Sequence, residues 1–187
     1  MEDLRKKIFS ELEGAIRIVF MGIGEEKLSD DGVGPYIITQ LLDHSDSKFQ
    51  FLNAGIDPMV RIDDIISFSP SHLVLLDTCT LDAEPGTVAV LKRDNISEYA
   101  PISTHTIPVH VVVDLIMEKL PNLHVFMIGI VPKSLKGFTE LELFKHGELS
   151  IDELNENDNL PFFAINLTPV IKEVADRIIE IIKDLIS

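Results

Sequence analysis

Residues 16–35 read IRIVFMGIGEEKLSDDGVGP, and the fold class follows from them. The strand formers of 16–21 run into Gly22-Ile23-Gly24 and then into two acids, Asp30 and Asp31. After Gly32-Val33-Gly34-Pro35, the spacing of Tyr36, Ile37, Ile38, Leu41 and Leu42 predicts a helix over about 34–43. Strand, glycine turn and helix N-terminus form the first unit of an open α/β sheet, where glycines allow tight turns and close approach. The crevice carries carboxylates where a nucleotide site would carry a phosphate-binding lysine, so the chemistry points to a cation.

Outward from that unit, the chain alternates strand and helix. A second strand is predicted over 49–53, and Asp57-Pro58 then supplies a cap and a first residue for a helix over 58–68. HLVLLD, residues 72–77, is apolar almost throughout, as expected of a strand buried on both faces. Right-handed crossovers place it beside the first strand, in the order 2-1-3. The switch point lies between strands one and three, and Asp31 and Asp77 emerge there.

A fourth strand is expected over 87–91, antiparallel because the preceding connection is too short for a helical crossover. An irregular stretch to Thr104, a helix over 108–120, a strand over 123–131 and a last helix over 169–186 complete the pattern. The fold class is therefore a three-layer αβα arrangement on a mostly parallel five-stranded sheet with one antiparallel strand. Residues 1–187 read as one domain with an insertion at 138–163, acidic and weakly periodic. A short amphipathic helix over 3–13 packs on the sheet edge or against a partner.

The chain has 187 residues, and its hydrophobic content of 45% is ample for one core. With 31 acids against 16 bases the formal charge is −15, which disfavours nucleic acid as a partner. No apolar run reaches the ~20 residues of a bilayer span, and no signal sequence opens the chain. The one cysteine, Cys79, cannot form an internal disulfide; a cytoplasmic protein without membrane insertion is expected.

Asp31 at the first helix, Asp77 at the end of strand three and His105 before the third helix converge in this topology. Two carboxylates and an imidazole suit a divalent transition metal and leave positions for water or substrate. Asp30 reads as a helix cap, and Cys79 as an inert buried thiol.

GIG, SDDGVGP, HLVLLD, STHTIP and IGIVP, in that order, resemble the nickel–iron hydrogenase maturation endopeptidases, in particular the branch serving formate-hydrogenlyase-type enzymes. The likeness spans about 16–133 and resumes at Leu167-Thr168-Pro169. It implies a cytoplasmic hydrolase that removes a short C-terminal peptide from the hydrogenase large-subunit precursor after nickel insertion. By motif, Asp31, Asp77 and His105 would contact the substrate's nickel, and Asp31 and Asp77 are the catalytic candidates. Water activation falls to the metal or to the carboxylates themselves.

Two positions depart from the family pattern. Glu25 stands where asparagine is usual after GxG, and Asn53-Ala54-Gly55 where Asp-Gly-Gly is usual. A metal-dependent peptidase on another substrate, or a non-catalytic paralogue, is the alternative. A phospho-receiver module would use Asp77 with Ser103 or Thr104 and Lys133. It is disfavoured by the GxG loop and by a proline that precedes the lysine. A dinucleotide-binding module lacks its third glycine.

Overall fold

A computed structural model describes residues 2–100, 107–135 and 166–186. β1 (Ile18–Ile23) is an inner strand of its sheet, with all six residues buried. β2 (Phe49–Gly55) and β3 (His72–Thr78) flank it, both parallel. Beyond β3 comes β5 (His124–Ile130), also parallel, and then β4 (Val88–Lys92), antiparallel at the edge. The order is β2-β1-β3-β5-β4. The expected fold class and the 2-1-3 switch point are both present.

The partner of β4 is the one topological point that chain order obscures. β4 is antiparallel as expected, but it pairs with β5, which inserts between it and β3. Burial explains the arrangement. β5 is apolar and buried at every position after its first, so it needs cover on both faces and neighbours on both edges. Only Leu91 of β4 is buried, as suits an edge strand.

Alternate strand residues supply two cores, as the two-residue period of a strand requires. Ile18, Phe20, Val74, Leu76, Phe126 and Ile128 face the layer of α1 (Glu2–Glu11), α2 (Val33–Thr39) and α6 (Pro169–Ile186). Val19, Met21, Leu73, Leu75 and Met127 face α3 (Ile62–Phe68), α4 (Arg93–Tyr99) and α5 (Val109–Lys119). The isoleucine stripe of α6 decides its docking. Ile171, Ile178 and Ile182 are fully buried, each contributing about 1.5–3 kcal/mol. Its ion pairs, Lys172–Asp176 and Arg177–Glu173, are about half-exposed and add little beside that burial.

Local signals behave as the residues dictate, with two exceptions. Gly14 ends the α1 segment at φ +78°, and Asp57 accepts from the Met59 amide at 3.1 Å. A 3-10 turn, Pro58–Arg61, precedes α3. The first exception is Ile16, expected in β1 but 73% exposed ahead of it. The second is α4, in a stretch expected to be irregular. Its only buried residue is Ile96, so no apolar stripe announces it.

α1 joins the first core through Leu4 and Ile8, touches β4, and is tied to α6 by Arg5 and Asp184 at 2.7 Å. The open choice for this helix thus resolves to the sheet edge. The insertion proposed at 138–163 lies outside the described residues. Among those described, no helix is long and apolar enough to cross a membrane.

A histidine pair at the lower end of the sheet makes stability depend on pH. His72 is 8% exposed, its ring 5.0 Å from that of His124, with Nδ1 3.0 Å from Ser71 Oγ. Glu11 faces the pair, bonded to His124 Nε2 at 2.9 Å and paired with Lys92 at 3.7 Å. Burial, and then the charge of His124, hold the His72 pKa below the ordinary 6.5, against the opposing pull of Glu11. The unfolded chain therefore binds this proton at a higher pH than the folded one. Stability is full above about pH 6.5 and falls as pH drops through the folded value. Thermal unfolding between pH 7.5 and 5.5 is expected to show a smaller acid-induced loss in His72→Leu than in the wild type.

Candidate active site

The mouth of the sheet, where the C-terminal ends of β1 and β3 adjoin, is shaped by backbone packed on backbone. Gly34, in the first turn of α2, is wedged between the two strands. A β-carbon there would lie 2.2 Å from the Leu76 carbonyl oxygen and 2.5 Å from that of Ile23. Gly22 meets Gly34 in the same way, its own β-carbon position 2.4 Å from the Gly34 oxygen. The glycines thus serve close approach of helix to sheet, a use that the sequence leaves open between ligand and backbone.

That wedge sets the loop ahead of α2. A 3-10 turn, Ser29–Gly32, packs against β3 and carries Asp31. Asp31 is 2% exposed, and its Oδ2 accepts the Glu25 amide at 2.7 Å. Gly24, at φ +131°, passes so close that a β-carbon would be 1.9 Å from the Asp31 carbonyl oxygen. Asp77, the penultimate residue of β3, is 1% exposed, and its Oδ1 accepts the Thr78 amide at 2.7 Å.

Two predicted site residues, Asp31 and Asp77, therefore stand on elements in contact at the switch point. His105 lies outside the described residues, in the segment leading to α5. Among the described residues, no group of three histidine, cysteine or acidic side chains is arranged to hold a metal.

Cys79 is buried against Gly129, whose β-carbon position would fall 2.9 Å from Sγ. Burial and the nearby Asp77 charge push its thiol up to about 12. At neutral pH that favours the protonated thiol over the thiolate. The inert role expected of it agrees with this environment.

Asp30 differs from its expected role as a cap. It is fully buried and makes no capping bond to its own turn. Its carboxylate instead accepts the amides of Lys133, Ser134 and Thr168 and the Thr168 hydroxyl. The only signal in the sequence was the doubled acid itself, since the partners come from distant segments.

The two departures from the family pattern border this mouth. The Glu25 side chain accepts the Lys27 amide at 3.1 Å, and Asn53 Oδ1 accepts the Gly55 amide at 3.0 Å. The Gly24 amide donates to the Gly55 carbonyl at 2.9 Å, tying the ends of β1 and β2 together.

Comparison with known proteins gives the same direction throughout. Residues 35–157 match the family model of the hydrogenase maturation protease HycI. That span includes Asp77 and His105 and begins just after Asp31. A protein of Methanocaldococcus jannaschii provisionally named a hydrogenase maturation protease is 30% identical over 138 residues, 70% of this chain and 80% of the relative. The hydrogenase 3 maturation protease of Escherichia coli K12 is 25% identical over 114 residues, 61% of this chain and 72% of its own. In fold, the crystal structure of a [NiFe] hydrogenase maturation protease HycI from Thermococcus kodakarensis superposes with a TM-score of 0.73. It is 22% identical and covers 96% of this chain and 98% of its own. Sheet order, motif positions and family match agree: the chain belongs to the HycI family of hydrogenase maturation proteases and is a hydrolase of that kind.

Proposed function

We propose that this protein is the endopeptidase that removes a short C-terminal peptide from the nickel-loaded large-subunit precursor of a nickel–iron hydrogenase. The observation that carries the reading is the pair of buried carboxylates, Asp31 and Asp77, on elements in contact at the ends of adjacent parallel strands. With His105 they contact the nickel carried by the precursor, which makes the metal part of the substrate. Carboxylate oxygens and imidazole suit such an ion, and the remaining positions stay with the precursor's own ligands. Cleavage of the loaded form alone follows, because an unloaded precursor offers these residues nothing to bind. Asp31 and Asp77 also serve the cleavage, as bases toward water or as holders of the metal that polarises it.

The compartment that fits this partner is the cytoplasm, and Cys79, free and protonated, is compatible with reducing conditions. Within the acid pair only Asp31 remains for metal contact, since Asp30 is engaged with three amides and a hydroxyl. A phospho-receiver would need both acids at its metal, so that reading loses ground. A second reading, a peptidase acting on a different precursor, is favoured by Glu25 and Asn53-Ala54 at the mouth.

Intact-mass spectrometry of loaded and nickel-free precursor, each incubated with the protein, is the test. Loss of one C-terminal peptide from the loaded form alone is the expected result. Equal cleavage of both forms would overturn nickel reading. Cleavage of neither by folded protein would point to a different substrate.

A further inference from the structure

Ser29 and Ser69 are the non-glycine residues at positive φ among those described, and Ser29, at +52°, immediately precedes the acid pair. Side chains seldom adopt that conformation, and where one persists its surroundings hold it there. Here the holding group is Asp30. Its Oδ1 accepts the Thr168 amide at 2.7 Å. Its Oδ2 accepts the Ser134 amide at 2.8 Å, the Lys133 amide at 3.0 Å and the Thr168 hydroxyl at 3.0 Å. Its own amide donates to the Ser134 carbonyl at 3.2 Å.

Residue 30 is thereby fixed through both backbone and side chain. One set of partners follows β5, and the other stands at the start of α6, where a negative charge also complements the helix dipole. Asp31 shares a peptide bond with this anchored residue. Its carboxylate is turned to a different partner, the Glu25 amide of its own loop. Besides these, the Gly24 amide ties the start of the loop to the Gly55 carbonyl and the Ser29 hydroxyl reaches the Asn166 carbonyl at 3.5 Å, while the Leu28-to-Glu25 and Asp31-to-Leu28 bonds are internal to the loop.

We propose that Asp30 is a positioning residue for Asp31, fastening the loop after β1 to the loop after β5 and to the start of α6. Asp31 thus keeps its place at the mouth by the bonds of its neighbour. The role in catalysis rests on the function proposed above; the anchoring of Asp31 does not.

Asp30→Asn tests it, because an amide group cannot accept from four converging donors. Two readouts are taken on folded protein: amide hydrogen exchange and steady-state processing of loaded precursor. The Glu25 amide, bonded to Asp31, is expected to lose protection by roughly tenfold or more, with Phe20 and Val74 in the sheet unchanged. The expected kinetic change is a kcat lowered by about a hundredfold with KM held, as for a displaced catalytic group.

Unchanged protection at Glu25 would overturn the proposal, as would a risen KM with kcat intact. A lowered Tm with unchanged kcat would reduce Asp30 to a brace. If Asp30→Asn does not fold, Thr168→Val, which removes one donor, decides on the same readouts, with changes of about threefold expected. A wild type that cleaves no precursor would sink the proposed function alone, since exchange at Glu25 still judges Asp30.

Discussion

Asp31→Asn and Asp77→Asn are each expected to stop precursor processing, by about a hundredfold or more, while leaving the protein folded. The two effects separate because the substitution removes charge and almost no shape. An asparagine at 31 can turn its carbonyl oxygen to the Glu25 amide, and one at 77 can do the same for Thr78. Fold stability is then expected to change by no more than about 1 kcal/mol, the net worth of one hydrogen bond. For a chain of this length that is a Tm shift of roughly 2–4 °C. An upward shift would also fit, since each variant relieves the cost of a buried charge. On the proposed function, what the variants lose is the negative oxygen that would hold nickel or take a proton from water. Intact-mass assay beside a thermal melt checks both halves. Normal processing by either variant would show that its carboxylate takes no part in the chemistry.

Gly34→Ala is expected to be strongly destabilising. In an ordinary helix alanine outperforms glycine by about 1 kcal/mol. Here the added methyl would lie 2.2 Å from the Leu76 oxygen, 2.5 Å from the Ile23 oxygen and 2.7 Å from the Ile23 nitrogen. All three are backbone atoms of β1 and β3, so no rotamer change relieves the clash. The helix has to lift, and it carries Val33, Ile37 and Ile38, all fully buried, away from the sheet with it. Overpacking of this kind costs about 3 kcal/mol or more, or a Tm lower by roughly 6–12 °C. Gly55→Ala is the control. Its φ is +55° but nothing lies within 4 Å of the new carbon, so only the backbone penalty of about 1–2 kcal/mol remains. A loss at position 34 no larger than at 55 would mean that the helix rests loosely on the sheet.

Much of this architecture was legible in the chain because its causes are local. The apolar run of β3 announces a strand covered on both faces, and the aspartate closing that run marks the end of the strand at the mouth of the sheet. Asp57-Pro58 starts a helical turn through bonds that reach only two residues. Glycines at 22, 24 and 34 promise close approach wherever they occur. From such features followed the three layers, the switch point, and the placing of Asp31 and Asp77 together.

The rest was decided by partners far off in the chain. Asp30 and Asp31 are neighbours with the same side chain, and although the sequence reads Asp30 as a cap and Asp31 as a metal contact, nothing local points to the partners that Asp30 has. Asp30 became an anchor because amides 103, 104 and 138 residues away converge on it. β4 looks toward β3 by chain order but meets β5, since the strand with more apolar surface to cover takes the inner place. α4 hides because a single buried isoleucine makes no periodic stripe. The amino-acid sequence by itself determined the five strands, the helices that carry an apolar stripe, and which acids reach the mouth of the sheet. The tertiary structure alone decided that Asp30 accepts from distant segments while Asp31 accepts from its own loop, because that depends on the donors that packing brings within hydrogen-bonding distance.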